Sequence, residues 1–139
     1  MRMLALGALM MVMLPAALSA QEPNPDLSGL WRFDMISPAG VPTLGAMTVM
    51  KNKSSGAYEG RLITNGGIHG LPIRSLRLQS GTMSLEVESE HGPIRFTGEL
   101  AASGQAFSGT TIYHDGRPFR MTGLKQEPLA PPGPVQASR

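Results

Sequence analysis

The chain has 139 residues and no cysteine. That excludes disulfides, thiolate metal sites, a cysteine nucleophile and a lipid-modified N-terminal cysteine. Charge is sparse. Lys and Arg number 12 against 10 Asp and Glu, and the basic residues never form a run. Nucleic acid and anionic membranes are bound by clustered basic patches, so neither is an expected partner in spite of the sequence pI of about 9.4. Aromatics are few: one Trp, two Tyr and four Phe. No segment repeats its apolar residues at a helical period. There is no Gly-x-Ser-x-Gly and no phosphate-binding loop, because Asn65-Gly66-Gly67 follows a strand pattern but opens no helix.

A single long apolar run is present, from Met3 to Leu14, broken only by Gly7. Arg2 precedes it, and Pro15 and the small-residue segment Ala16-Ala17-Leu18-Ser19-Ala20 follow. This is the layout of a secretory signal peptide over residues 1–20, with cleavage after Ala20. A membrane span needs about 20 apolar residues, and this run is shorter. The expected product is periplasmic or secreted. Lacking disulfides, it must rely on its core alone, which a domain of about 100 residues can supply. Residues 21–27 are a polar lead-in, 28–125 the domain, and 126–139 a Pro-rich tail without periodic apolar pattern, expected to be disordered.

The domain opens on Ser28-Gly29-Leu30-Trp31-Arg32-Phe33, which holds the only Trp. Trp31, Phe33 and Met35 alternate with Arg32 and Asp34, the period of a half-buried strand. Turn signals then recur at Ser55-Gly56, Gly66-Gly67, Ser80-Gly81, His91-Gly92, Ser103-Gly104 and Asp115-Gly116, 11 to 14 residues apart. With Pro38-Ala39-Gly40 they divide the domain into eight strands near 29–36, 43–52, 57–65, 71–79, 82–89, 94–101, 106–113 and 118–125. Most alternate cleanly, as Met83, Leu85 and Val87 do with Ser84, Glu86 and Glu88. The second strand mixes its faces at Met47, Val49 and Met50. Outward Arg77, Glu86, Glu88, Arg95 and Glu99 argue against an outer-membrane barrel, whose lipid-facing side is apolar.

A bulky residue followed two positions later by Gly recurs inside the strands: Tyr58-Glu59-Gly60, Phe96-Thr97-Gly98, Phe107-Ser108-Gly109 and Met121-Thr122-Gly123. Gly weakens a strand unless the chain bends or a group approaches closely. A tight barrel needs both, so the fold expected is an all-β, antiparallel, up-and-down eight-stranded barrel. The last hairpin shows how the repeat selects a register. A three-residue loop, His114-Asp115-Gly116, sets Thr111 opposite Phe119, Gly109 opposite Met121 and Phe107 opposite Gly123. Both rings then point inward, and Gly116 takes the left-handed position of the loop.

Leu27-Ser28-Gly29-Leu30-Trp31 resembles the Gly-x-Trp first strand of calycin-type barrels, the group of avidins and lipocalins, and Gly56-Ala57-Tyr58-Glu59-Gly60-Arg61-Leu62 is similar to the third strand of avidin-like proteins. The resemblance covers the meander and implies a small-molecule-binding barrel. It does not imply biotin, because avidins use several Trp and this chain has one. The family's Arg over the first-strand Trp has no clear counterpart; Arg120 or Lys125 could take its place.

In such a meander alternate turns share an end. His69, His91 and His114 fall at one end and form the expected mouth rim, while Trp31 anchors and plugs the other. The expected interior ligand-binding set is Phe33, Tyr58, Leu62, Leu85, Phe96, Phe107 and Phe119. The His pattern lacks metal-ligand spacing, and adjacent His114 and Asp115 cannot orient one another as a catalytic base and its carboxylate. Glu88 is expected opposite Arg95 across a two-residue His91-Gly92 turn. The chain is therefore read as a non-enzymatic, cofactor-free and metal-free binding domain for a small, mostly apolar molecule. The alternative is an accessory module of the cell envelope with a filled core and a protein partner.

Overall fold

The computed structural model describes residues 23–36, 39–64 and 70–128. The expected signal peptide, His69 and residues 129–139 of the expected tail lie outside them. Eight strands follow in order: β1 (Gly29–Ile36), β2 (Pro42–Lys51), β3 (Tyr58–Thr64), β4 (Leu71–Gln79), β5 (Thr82–Ser89), β6 (Gly92–Leu100), β7 (Ala106–Ile112) and β8 (Pro118–Lys125). Each pairs antiparallel with the next, and β8 returns to β1 to close the barrel. No helix is present among the described residues. The expected strands are all there, within two residues at their ends.

Alternation decides what faces inward. In β2 the ambiguity resolves as Met47 and Val49 in the core and Met50 outside, 69% exposed. A bulge between Ile73 and Ser75 in β4 shifts the alternation by one, so that both Ile73 and Leu76 are buried. In the last hairpin Phe107 pairs with Gly123, Gly109 with Met121 and Thr111 with Phe119, the register that the repeat selects. Gly116 has φ +83° and its N–H donates to the Tyr113 carbonyl at 2.9 Å. One expected pair is displaced. Ser89 pairs with Gly92, so the two turn residues are Glu90 and His91. Arg95 therefore faces Glu86, donating to it at 2.8 Å, and Glu88 takes Arg74 across the other seam.

The repeat works by letting rings lie flat. A Cβ on Gly123 would sit 2.3 Å from the Phe107 ring, and one on Gly45 2.1 Å from the Phe33 ring. The Phe96 ring covers both Gly98 and Gly109, which face each other across β6 and β7. Phe107 packs against Trp31 and Phe96 at ring-centroid distances of 5.5 and 5.2 Å. These rings fill one half of the barrel.

That half is closed by the lead-in. Leu27, 1% exposed, plugs it beside Trp31, whose indole N–H donates to the Leu27 carbonyl at 2.9 Å. The Lys125 ammonium lies 5.7 Å from the Trp31 ring centroid and donates to the Asp26 carbonyl at 2.8 Å. Lys125, not Arg120, thus covers the Trp. Its position continues the inward series Phe119, Met121, Gly123, to which Arg120 does not belong. Asp26 Oδ1 accepts from the Ser28 N–H and hydroxyl at 2.9 and 2.8 Å and from the Tyr58 hydroxyl at 3.3 Å. The Ser28 bonds, then those of Tyr58 and the nearby Lys125 charge, hold the Asp26 carboxyl below its ordinary range. A depressed folded-state pKa contributes stability that is complete above the unfolded value of about 3.9 and is lost as pH falls through the folded value. Asp26→Ala is therefore expected to melt a few degrees below the parent at pH 7, with the gap closing as pH falls below about 4. Thermal melts across that range check it; a gap independent of pH would show that the carboxylate charge does not matter.

Candidate functional site: an open apolar cavity

The other half of the barrel opens into a cavity of about 600 Å³. Register places its levels. Gly98, Gly109, Met121 and Met35 align across β6, β7, β8 and β1, and just above them lie Phe96, Thr111 and Phe119. Met121, Phe96 and Thr111 therefore form the inner end, with Leu62, Leu85 and Phe119 on the wall. Nearer the mouth the lining includes Ile94, Ser89, Glu90, His91, Tyr113 and Arg117. The division into a packed half and an open half follows from glycine placement. Phe33 and Phe107 each have a Gly directly across the seam and can lie down, whereas Phe119 faces Thr111 and stands beside the cavity.

Of the expected interior set, Leu62, Leu85, Phe96 and Phe119 line the cavity. Phe33 and Phe107 are buried inside the barrel but in the closed half, beneath the cavity. Tyr58 sits at the closed end, where its hydroxyl accepts from the Leu27 N–H at 3.2 Å. These three do not reach the cavity. Met35, Thr111, Tyr113, Arg117 and Met121 line it and were not in the expected set. Thr111 and Tyr113 continue the strand face of Phe107 and Gly109, and Arg117 that of Phe119 and Met121, so the alternation alone could have found all three.

His91 lines the mouth, and His114 lies behind it with ring centroids 5.3 Å apart. His114 also stacks on Tyr113 at 4.1 Å, and Tyr113 meets Phe119 at 5.9 Å, giving an aromatic run from rim to wall. Arg117 is bound to Asp115: its Nε–H donates at 2.6 Å and its backbone N–H at 3.1 Å. These bonds, with the charges of Arg117 and His114, lower the Asp115 pKa, and Asp115 in turn raises that of Arg117. Among the described residues no three His, Asp or Glu side chains converge as metal ligands. Dialysed protein is expected to carry no stoichiometric divalent ion by elemental analysis. A retained ion that disappears in His91→Ala would reverse that reading.

No family model matches the chain, and no curated protein matches it. Among solved structures, a redesigned β-barrel is similar with a TM-score of 0.57 at 17% identity, covering 73% of this chain and 92% of that one. A de novo designed fluorescence-activating β-barrel gives a TM-score of 0.48 at 20% identity, over 71% of this chain and 93% of that one. At 17% identity the likeness to the redesigned barrel is one of fold.

Proposed function

We propose that the chain is an exported, non-enzymatic barrel of the calycin type that holds a small, mostly apolar molecule in its open half. The observation that carries this reading is the cavity of about 600 Å³, walled by Leu62, Leu85, Phe96 and Phe119 and open at one end. A barrel of eight strands can be filled by its own side chains or can hold one small ligand. Here the same chain fills one half with flattened rings and leaves the other open. Open apolar space forfeits packing and costs stability, so a sequence under pressure only to fold would fill it. The aromatic rim of His91, His114 and Tyr113 rests on ring contacts, which suit an entrance better than a proton relay.

Titration with 8-anilinonaphthalene-1-sulfonate, followed by its fluorescence, tests this reading. Saturable one-site binding is expected in the parent. Leu85→Trp, which adds bulk from the wall, should weaken it at least tenfold while the fold is retained. No saturable binding, or equal binding by a folded Leu85→Trp, would overturn the reading. The envelope-module alternative draws on a different feature, the exposed Ile36, Leu44 and Ile63 on the outer face of β1, β2 and β3. Native mass spectrometry of protein taken from its own envelope separates the two: a retained small molecule supports the first, a retained protein the second.

A further inference from the structure

Among the described residues one buried side chain is polar, and it lines the cavity. Thr111 is 2% exposed, lines the cavity, and stands in register between Phe96 on β6 and Phe119 on β8. Its hydroxyl donates to the Met121 thioether at 3.4 Å. A thioether is a weak acceptor, and a hydroxyl has two lone pairs of its own. Burying a hydroxyl with so poor a partner costs stability, and Val would fill the same space without that cost. Two polar groups of the lining are better engaged: Ser89 Oγ donates to the Gly92 carbonyl at 2.6 Å and Arg117 is held by Asp115.

Resting on the binding reading above, we infer that Thr111 is a specificity-determining residue, and that the ligand is a neutral apolar molecule entering with a hydroxyl group first. The Thr111 proton is directed to Met121 Sδ, so the lone pairs of Oγ1 are free to accept from a ligand O–H. An alcohol or phenol fits this arrangement. A carboxylate does not, because a buried anion needs several donors and the one buried polar side chain of the lining is a hydroxyl already directed elsewhere.

The probes are 2-naphthol and 2-methylnaphthalene, nearly the same in shape and differing by O–H against CH₃. Their dissociation constants are measured for the parent, Thr111→Val and Thr111→Ser. Thr111→Val is expected to weaken 2-naphthol about tenfold, the range of one buried hydrogen bond, and to leave 2-methylnaphthalene within about twofold. Thr111→Ser should bind both probes as the parent does. Thr111→Val should also melt at or above the parent temperature, which a residue kept for structure would not do. If both probes bind but the substitution shifts them equally or not at all, the Thr111 assignment falls and the cavity reading stands. If neither probe binds the parent, both fall.

Discussion

Replacing Trp31 by Ala is expected to unfold the domain, or to lower its melting temperature by more than about 12 °C, corresponding to a loss of about 3–5 kcal/mol. The side chain is 1% exposed and meets Phe107 inside the barrel. Truncation opens a cavity beneath the lead-in and leaves the Leu27 carbonyl, which accepts the indole N–H at 2.9 Å, without its partner. Leu27 and Lys125 would then cover a void. Urea or thermal denaturation measures the loss directly. A variant melting within a few degrees of the parent would mean that the lead-in and the remaining rings close the barrel without the indole. Trp31→Phe keeps one ring against Phe107 but loses the N–H and part of the indole's volume, so it should lose less than Trp31→Ala, about 1–3 kcal/mol.

The second large effect belongs to Gly109. A Cβ there would lie 2.3 Å from the Thr97 carbonyl oxygen and 2.4 Å from the Gly98 Cα, and both are backbone atoms that cannot swing aside. Gly109→Ala must therefore force β6 and β7 apart and lift the Phe96 ring from its seat. The expected cost is about 3 kcal/mol, the upper end for overpacking, together with a smaller cavity as Phe96 moves into it. Gly116→Ala is the control. Gly116 has open space around it but φ +83°, so Ala there carries only the conformational cost of about 1–2 kcal/mol. Denaturation of the two variants side by side distinguishes close approach from backbone freedom. Equal losses would mean that the glycine pair is not a tight contact.

Much of this architecture was legible in the order of residues. Turn glycines at regular intervals specify eight strands, and alternation specifies the inward face of most of them; the faces of β2 and the shift at the β4 bulge came from the structure. The bulky-x-Gly repeat specifies closure and the β7–β8 register, because a one-residue slip would turn a ring to water. The β5–β6 register was not legible. Pairing Glu86 rather than Glu88 with Arg95 is a slip of two residues. A slip of two leaves every side chain on its own face, so hydrophobic patterning cannot distinguish the choices, and the local turn at Glu90 and His91 decides. The plug at Leu27 was hidden for a related reason: a lone Leu in a polar segment has no periodicity to mark it.

By itself, then, the sequence determined most of the inward faces, outside β2 and the β4 bulge, and that the sheet must close, since both follow from period-2 alternation and from glycines placed beside bulky residues. Only the tertiary structure decided how the interior is divided. Where an inward ring comes to rest depends on the glycines within its reach: Phe107 lies over Gly123 in the closed half, Phe96 over Gly98 and Gly109 at the inner end of the cavity, while Phe119, opposite Thr111, borders the cavity. That contrast arises between neighbouring strands and is absent from either strand alone. It is also what leaves the Thr111 hydroxyl at the inner end of an apolar cavity.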